Sequence, residues 1–168
     1  MLRTMTLYKL KRLCPILLLL TLCAVAAPHM AKAAASQWAQ KENIKARLIT
    51  SPGQLGEQET FKAAIQLRLG KGWYSYWRAA GDVGVPTQFN WQESDNIKNT
   101  QVAWPVPERK TIQGFQSFVY ADRVTFPVTV TRKDLEEDVK LRLKLKAMIC
   151  KQICIPKTFD LELDVPDG

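Results

Sequence analysis

The sequence predicts an all-β domain, an immunoglobulin-like β-sandwich, on three observations. No segment carries a sustained helical period, about seven or eight short runs alternate apolar and polar residues, and Gly, Pro, Asn and Asp punctuate those runs. A small barrel is the rival architecture.

The first 33 residues are expected to be a cleaved signal peptide. Lys9, Lys11 and Arg12 form a basic n-region, 16–27 is an apolar run too short to span a bilayer comfortably, and Ala31-Lys32-Ala33 offers small residues for cleavage. A lipoprotein reading fails because Cys23 follows Leu22, where that processing needs a small residue. An uncleaved N-terminal anchor is the alternative for the same segment. The domain then covers 34–168, which is 135 residues, one ordinary domain with enough chain for a real core.

Removing the leader changes the composition that matters for function. Five basic residues and no acid leave with it, so the formal charge of +8 falls to +3, and nucleic acid is not an expected partner. His29, the only histidine, leaves too, which excludes Ser-His and Cys-His hydrolase mechanisms and His-ligated zinc. Cys14 and Cys23 are lost, and Cys150 and Cys154 remain as a pair in an oxidising compartment.

The strands follow in order. Residues 36–43 read as a polar lead-in; Ile44, Ala46 and Leu48 alternate with polar neighbours and end at the Ser51-Pro52-Gly53 turn. Phe61, Ala63, Ile65, Leu67 and Leu69 share one face before Gly70-Lys71-Gly72 turns the chain. The run from Trp73 to Trp77 is aromatic on both faces, which predicts a central strand whose second face is covered by a loop. Gly81 to Pro86 is the loop that follows, and Phe89 and Trp91 mark another short strand. Trp104-Pro105-Val106-Pro107 is too rich in proline for an inner strand and is read as an edge or a crossing segment. Val124, Phe126, Val128 and Val130 alternate around Pro127, placing that strand near an edge, and 134–138 is an acidic turn.

The longest alternation comes next. Val139, Leu141, Leu143, Leu145, Ala147 and Ile149 share one face, with Lys140, Arg142, Lys144 and Lys146 opposite, and the run ends in Cys150. Phe159, Leu161, Leu163 and Val165 form the last strand, so the cysteine segment connects two neighbours. The basic stripe is read mainly as a solvated sheet face.

Three chemistries fit the cysteine pair. A permanent structural disulfide is the commonest fate of two cysteines in an exported domain. Yet a bridge closing so short a loop removes only roughly 2 kcal/mol of unfolded-chain entropy. Bridging three intervening residues also needs a tight turn, and small strained rings are easier to reduce. This favours exchange, with Lys151, and secondarily Lys146, as candidates for lowering a thiol pKa. The third chemistry is Cu(I) binding by Met148, Cys150 and Cys154, which are soft ligands. No other cofactor is expected.

The chain also resembles a known family. The residues that carry the resemblance are Gly72-Trp73-Tyr74-Ser75-Tyr76-Trp77, Gly81-Asp82-Val83-Gly84-Val85-Pro86-Thr87, Trp104-Pro105-Val106-Pro107-Glu108-Arg109 and Cys150-Lys151-Gln152-Ile153-Cys154-Ile155-Pro156. Together, in this order, they are similar to the N-terminal periplasmic domain of the DsbD and ScsB family. The resemblance implies an immunoglobulin-like domain that takes electrons from a membrane thiol relay protein and passes them to periplasmic thioredoxin-like or disulfide isomerase proteins. Such acceptors include cytochrome c maturation factors or, in the ScsB branch, proteins of copper tolerance. It implies a protein-disulfide reductase-like electron carrier, in which Cys154 forms the mixed disulfide and Cys150 resolves it. It also implies an aromatic cap over the pair, on a loop falling at 110–118, with Phe115 the first candidate and Phe118 the second. Trp73, Tyr74 and Tyr76 are candidates for the floor of the site, with packing as their alternative role. The three-residue spacing is nearer the ScsB branch. Since the sequence ends at Gly168, the electron donor is expected to be a separate protein.

Overall fold

The computed structural model describes residues 34–51 and 55–167. The expected signal peptide and the Pro52-Gly53 portion of the first turn lie outside the described residues. Among the described residues every regular element is a strand: β1 Ala39–Lys41, β2 Ile44–Thr50, β3 Thr60–Leu69, β4 Tyr74–Gly81, β5 Gln88–Asn90, β6 Ile97–Val102, β7 Glu108–Ile112, β8 Phe115–Ala121, β9 Arg123–Arg132, β10 Val139–Cys150 and β11 Cys154–Val165. They form two antiparallel sheets. The first has the order β1-β2-β3-β9-β6, and the second β11-β10-β4-β8-β7 with β5 paired to β10. Each sheet keeps its own edges, as in a sandwich and unlike a closed barrel.

The alternations read in the sequence build the core. Ala46, Leu48, Ile65, Leu67, Phe126 and Val128 face inward from the first sheet, and Leu141, Leu143, Leu145, Ile149, Phe159 and Leu161 face them from the second, all essentially excluded from water. Successive side chains alternate across a strand, so one face of each strand supplies this layer. One turn shows why glycine sits where it does. The Trp73 amide donates to the Gly70 carbonyl at 2.9 Å, and Gly72 at the third position has φ 78°, the requirement of a type II turn.

β9 holds Pro127 although it is an inner strand, second from the β6 edge. In a strand the amide and carbonyl of one residue point to the same side, and the Pro127 carbonyl accepts from Ala103 just past the end of β6. The missing donor therefore faces a position where the ladder is ending, which removes the usual cost of proline. Residues 103–107 are a crossing segment that carries the chain from β6 in the first sheet to β7 in the second. Trp104 packs edge-on to Phe126, and the Tyr120 hydroxyl donates to the Pro105 carbonyl at 2.7 Å.

Three expectations change. The lead-in at 36–43 contains β1, and it runs beside β2 with Ser36 donating to the Leu48 carbonyl. The stretch 110–118 is not a loop but most of the β7–β8 hairpin, closed at Gln113 and Gly114 with φ of 51° and 87°. Two consecutive left-handed residues make a type I′ turn, which matches strand twist and needs no longer loop. The last strand begins at Cys154, five residues before Phe159 and with Pro156 inside it. The acidic turn is fastened by buried Arg132, whose guanidinium donates to the carbonyls of Gly56, Leu135 and Glu137 and pairs with Asp167 at 2.7 Å.

Candidate functional site

β10 and β11 pair along their whole length, from Val139 opposite Val165 to Cys150 opposite Cys154. While Ile149 enters the core, Cys150 belongs to the opposite phase with Lys140, Arg142, Lys144, Lys146 and Met148, on the outer face of the second sheet. On its other side Cys150 lies directly opposite Tyr74 of β4. Cys154, Cys150 and Tyr74 thus form one row across three strands.

The two cysteines are joined as a disulfide with Cα atoms 4.1 Å apart. Their pairing is the non-hydrogen-bonded kind, which brings Cα atoms closest in an antiparallel ladder. The next pair inward to the turn carries the hydrogen bond, Lys151 amide to Ile153 carbonyl at 3.1 Å. Exposure divides the pair: Cys150 is 1% exposed, whereas Cys154 is open to solvent beside Ile153, which is 66% exposed.

A small second core forms around the buried sulfur. Tyr74, Tyr76, Ala80, Val119 and Cys150 are its buried members, with Ile112 and Met148 packed against it. The Tyr76 hydroxyl lies 3.5 Å from Cys150 Sγ and 4.0 Å from Cys154 Sγ. A disulfide sulfur has no proton, so the phenol is the donor. Burial pushes the Tyr76 pKa up to about 12, with the neighbouring Tyr74 phenol adding to it, so the donor keeps its proton throughout the neutral range. The two tyrosine rings meet edge to face at 5.7 Å.

The Gly81–Pro86 loop covers this core. Gly84, at φ 119°, lies so close to Tyr76 that a Cβ there would come within 2.2 Å of the ring; a Cβ on Gly81 would come within 2.3 Å of the Gln116 carbonyl. The loop is tied to β8 by the Asp82 amide donating to the Gln116 carbonyl, by Asp82 Oδ2 accepting from the Gln116 amide at 2.9 Å, and by the Ser117 hydroxyl donating to the Val83 carbonyl at 3.1 Å. The aromatic run and the glycine loop are therefore one unit: the loop is the cover that the two-faced aromatic strand requires.

The structure brings Cys150, Cys154, Tyr74 and Tyr76 together, with Met148 at the border of the same cluster. Trp73 is separate and packs against the main core. Phe115 is 51% exposed at the tip of the β7–β8 hairpin, on the β8 phase that includes Val119. Phe118 has the opposite phase, meets Trp77 at 5.9 Å between ring centroids and has Arg109 over it. Alternation along β8 sends it away from the cysteine face. Lys151 lays its stem along Gly72, with Cε 3.4 Å from where a Cβ would stand. Lys146 lines a groove of about 690 Å³ beside β5 and β6.

Sequence reasoning missed Lys110, whose ammonium lies 4.1 Å from the centre of the Tyr74 ring. It also missed the glycine contact with Tyr76. The signal for Lys110 was available only through the hairpin, since the type I′ turn sets which β7 residues lie above the second sheet. Among the described residues no cluster of three or more His, Cys, Asp or Glu side chains is placed to hold a metal. Chemically, the arrangement offers an attacking thiolate one accessible sulfur, Sγ of Cys154. The other sulfur is buried beside a phenol that can donate to a departing thiolate.

Residues 36–166 match the family described as thiol:disulfide interchange protein DsbD, N-terminal. Among solved structures, the chain is similar to the N-terminal periplasmic domain of ScsB from Proteus mirabilis, at TM-score 0.65 and 23% identity over 80% of this chain and 52% of that one. The chain thus spans about half the length of that structure. A second neighbour is the reduced N-terminal domain of DsbD from Neisseria meningitidis, at TM-score 0.38 and 17% identity over 66% of this chain and 80% of that one. No curated protein matches the sequence.

Proposed function

The chain belongs to the family of the DsbD N-terminal domain, and from that premise we propose that it is an exported periplasmic carrier of reducing equivalents working through Cys150 and Cys154. In the reduced state the Cys154 thiolate attacks a disulfide of a thioredoxin-like or disulfide isomerase partner, forming a mixed disulfide and releasing one partner thiolate. Cys150 then attacks Cys154 Sγ, which restores the Cys150–Cys154 bond and frees the partner as a dithiol; two electrons have passed to it. A membrane thiol relay protein re-reduces the pair through the same accessible sulfur. The observation that carries this reading is the unequal exposure of the two sulfurs, because thiol exchange is limited by access to the attacked atom.

The periplasmic location is supported by the similarity to a periplasmic domain, and the reading takes the first 33 residues to be a signal peptide cleaved after Ala33. Phe115 is the residue proposed to shield Cys154, being on the cysteine side of β8. Tyr76 and Tyr74 form the floor. Cys150→Ser tests the assignment: it should accumulate mixed disulfides with periplasmic proteins through Cys154, and Cys154→Ser should accumulate none. Adducts of equal yield from both variants would contradict the roles.

A second reading is favoured by one observation, the packing of Met148 against the cluster that holds Cys150. In it the reduced protein binds Cu(I) through Met148, Cys150 and Cys154. Titration of reduced protein with Cu(I) against a competing chelator decides it, and no uptake removes this reading.

A further inference from the structure

The two outer faces of the sandwich handle their cations differently. On the cysteine-bearing sheet three cations of β10 are paired, Lys140 with Asp95, Arg142 with Glu162 and Asp164, and Lys144 with Glu93 and Asp160, while Lys146 and Lys110 are in no ion pair among the described residues. On the first sheet Lys45, Arg47, Lys62, Arg68 and Arg123 share the outward phase of β2, β3 and β9, and among the described residues none of them is in an ion pair. The register makes this unfavourable. Lys45 is directly opposite Arg68, and Arg68 directly opposite Arg123, so three like charges stand in a row across three strands. Trp38 lies among them, with its ring centre 5.1 Å from Lys45 Nζ, 4.4 Å from Arg47 Cζ and 5.0 Å from Arg68 Cζ. The ring face attracts these cations but leaves their charge uncancelled.

We propose that this face docks on an anionic phospholipid bilayer. Cations spread over the face of a sheet suit an extended layer of phosphates better than a single small anion, and a tryptophan level with them is the side chain favoured at the membrane–water boundary. The like-charge row is a cost to folding that contact with the phosphates would relieve.

Flotation of the chain that remains after leader cleavage, 34–168, with two kinds of vesicle tests this, one of phosphatidylcholine alone and one containing about one-third phosphatidylglycerol. The expected result is binding to the anionic vesicle about 100-fold tighter or more, lost at roughly 0.5 M salt, where charges on the surface are screened. Apolar attachment would be the same on both vesicles, so the difference between them reads the basic face. The triple variant K45Q/R68Q/R123Q should bind anionic vesicles roughly 100-fold more weakly, at about fivefold per cation, while R142Q on the opposite face should bind as the parent does. Because the triple variant relieves repulsion it should melt no lower than the parent, which separates lost binding from lost folding. Equal binding to both vesicles, or undiminished binding by the triple variant, overturns the proposal. Binding to soluble polyglutamate without binding to anionic vesicles also overturns it and assigns the face to an acidic protein.

Discussion

The outer face of the β10–β11 hairpin has two halves, built by the same alternation on the same two strands. From Lys140 to Lys144 it is a ladder of ion pairs, Lys140 with Asp95, and Arg142 and Lys144 with Asp160, Glu162 and Asp164 of β11. From Met148 to Cys150 it is a buried patch under aromatic side chains. The change occurs where the neighbour of β10 changes, from short β5 opposite Lys144–Lys146 to β4 opposite Ile149 and Cys150. Position in the sheet, more than phase along the strand, decides whether an outward side chain meets water. The disulfide sits at the end of the covered half, with one sulfur beneath the cover and one at its rim.

Breaking the covered half should have far larger consequences than breaking the ladder. Cys154→Ser should abolish exchange altogether, measured as reduction of a partner disulfide by the reduced protein, whereas Lys144→Ala should leave the rate unchanged. Next in size is Gly84→Val. It places a branched side chain in the Tyr76 ring and at a φ that L-residues avoid, so it should cost about 2–4 kcal/mol in denaturant unfolding. The same variant should speed reduction of the disulfide by a small thiol, because the loop can no longer close over Tyr76. No change in either quantity would mean that the glycine loop is not the cover.

Tyr76→Phe is a finer probe. Losing the hydroxyl beside Cys150 Sγ should cost about 1 kcal/mol and shift the reduction potential of the pair. It also has a signature in pH. The Tyr76 pKa rises from 10.0 in the unfolded chain to about 12, so its contribution to stability is complete below pH 10 and is lost as pH climbs toward about 12. Tyr120 shifts the same way through burial, so Tyr76→Phe should lessen the alkaline fall in the denaturation midpoint without removing it. The smallest effect belongs to the ladder. Arg142→Ala removes ion pairs to acids that are 69% exposed, and should change stability by no more than about 1 kcal/mol.

Much of this architecture was legible in the sequence because period-two alternation reports burial directly. β2, β3, β9 and β10 were readable from their apolar faces, and the two-faced aromatic run identified β4 as central. The segments that escaped lack that signal. β6 reads Ile97-Lys98-Asn99-Thr100-Gln101-Val102, a polar edge interrupted by a register shift, and β7 presents four exposed residues in a row. The Gln113-Gly114 turn was the one clue to the β7–β8 hairpin, and a search for Asn-Gly or Asp-Gly passes over it. For the site, the sequence supplied the cysteines and the tyrosines but not their division between buried and exposed sulfur. That division depends on the Gly84 loop folding back on Tyr76, a contact that alternation and spacing do not reveal. Lys151 shows the converse: adjacency to Cys150 in sequence drew attention to it, and its side chain runs along Gly72.

The central claim is that Cys150 and Cys154 form an exchangeable couple, and it is tested most directly by the reduction potential of that pair in equilibrium with a glutathione or dithiothreitol buffer. The small ring and the accessible sulfur predict a potential above about −300 mV, in the range where protein thiol partners can reduce and reoxidise it. A value below that range, where structural bridges of exported proteins are found, would contradict the carrier role and make the pair a fastening at the end of the β10–β11 hairpin.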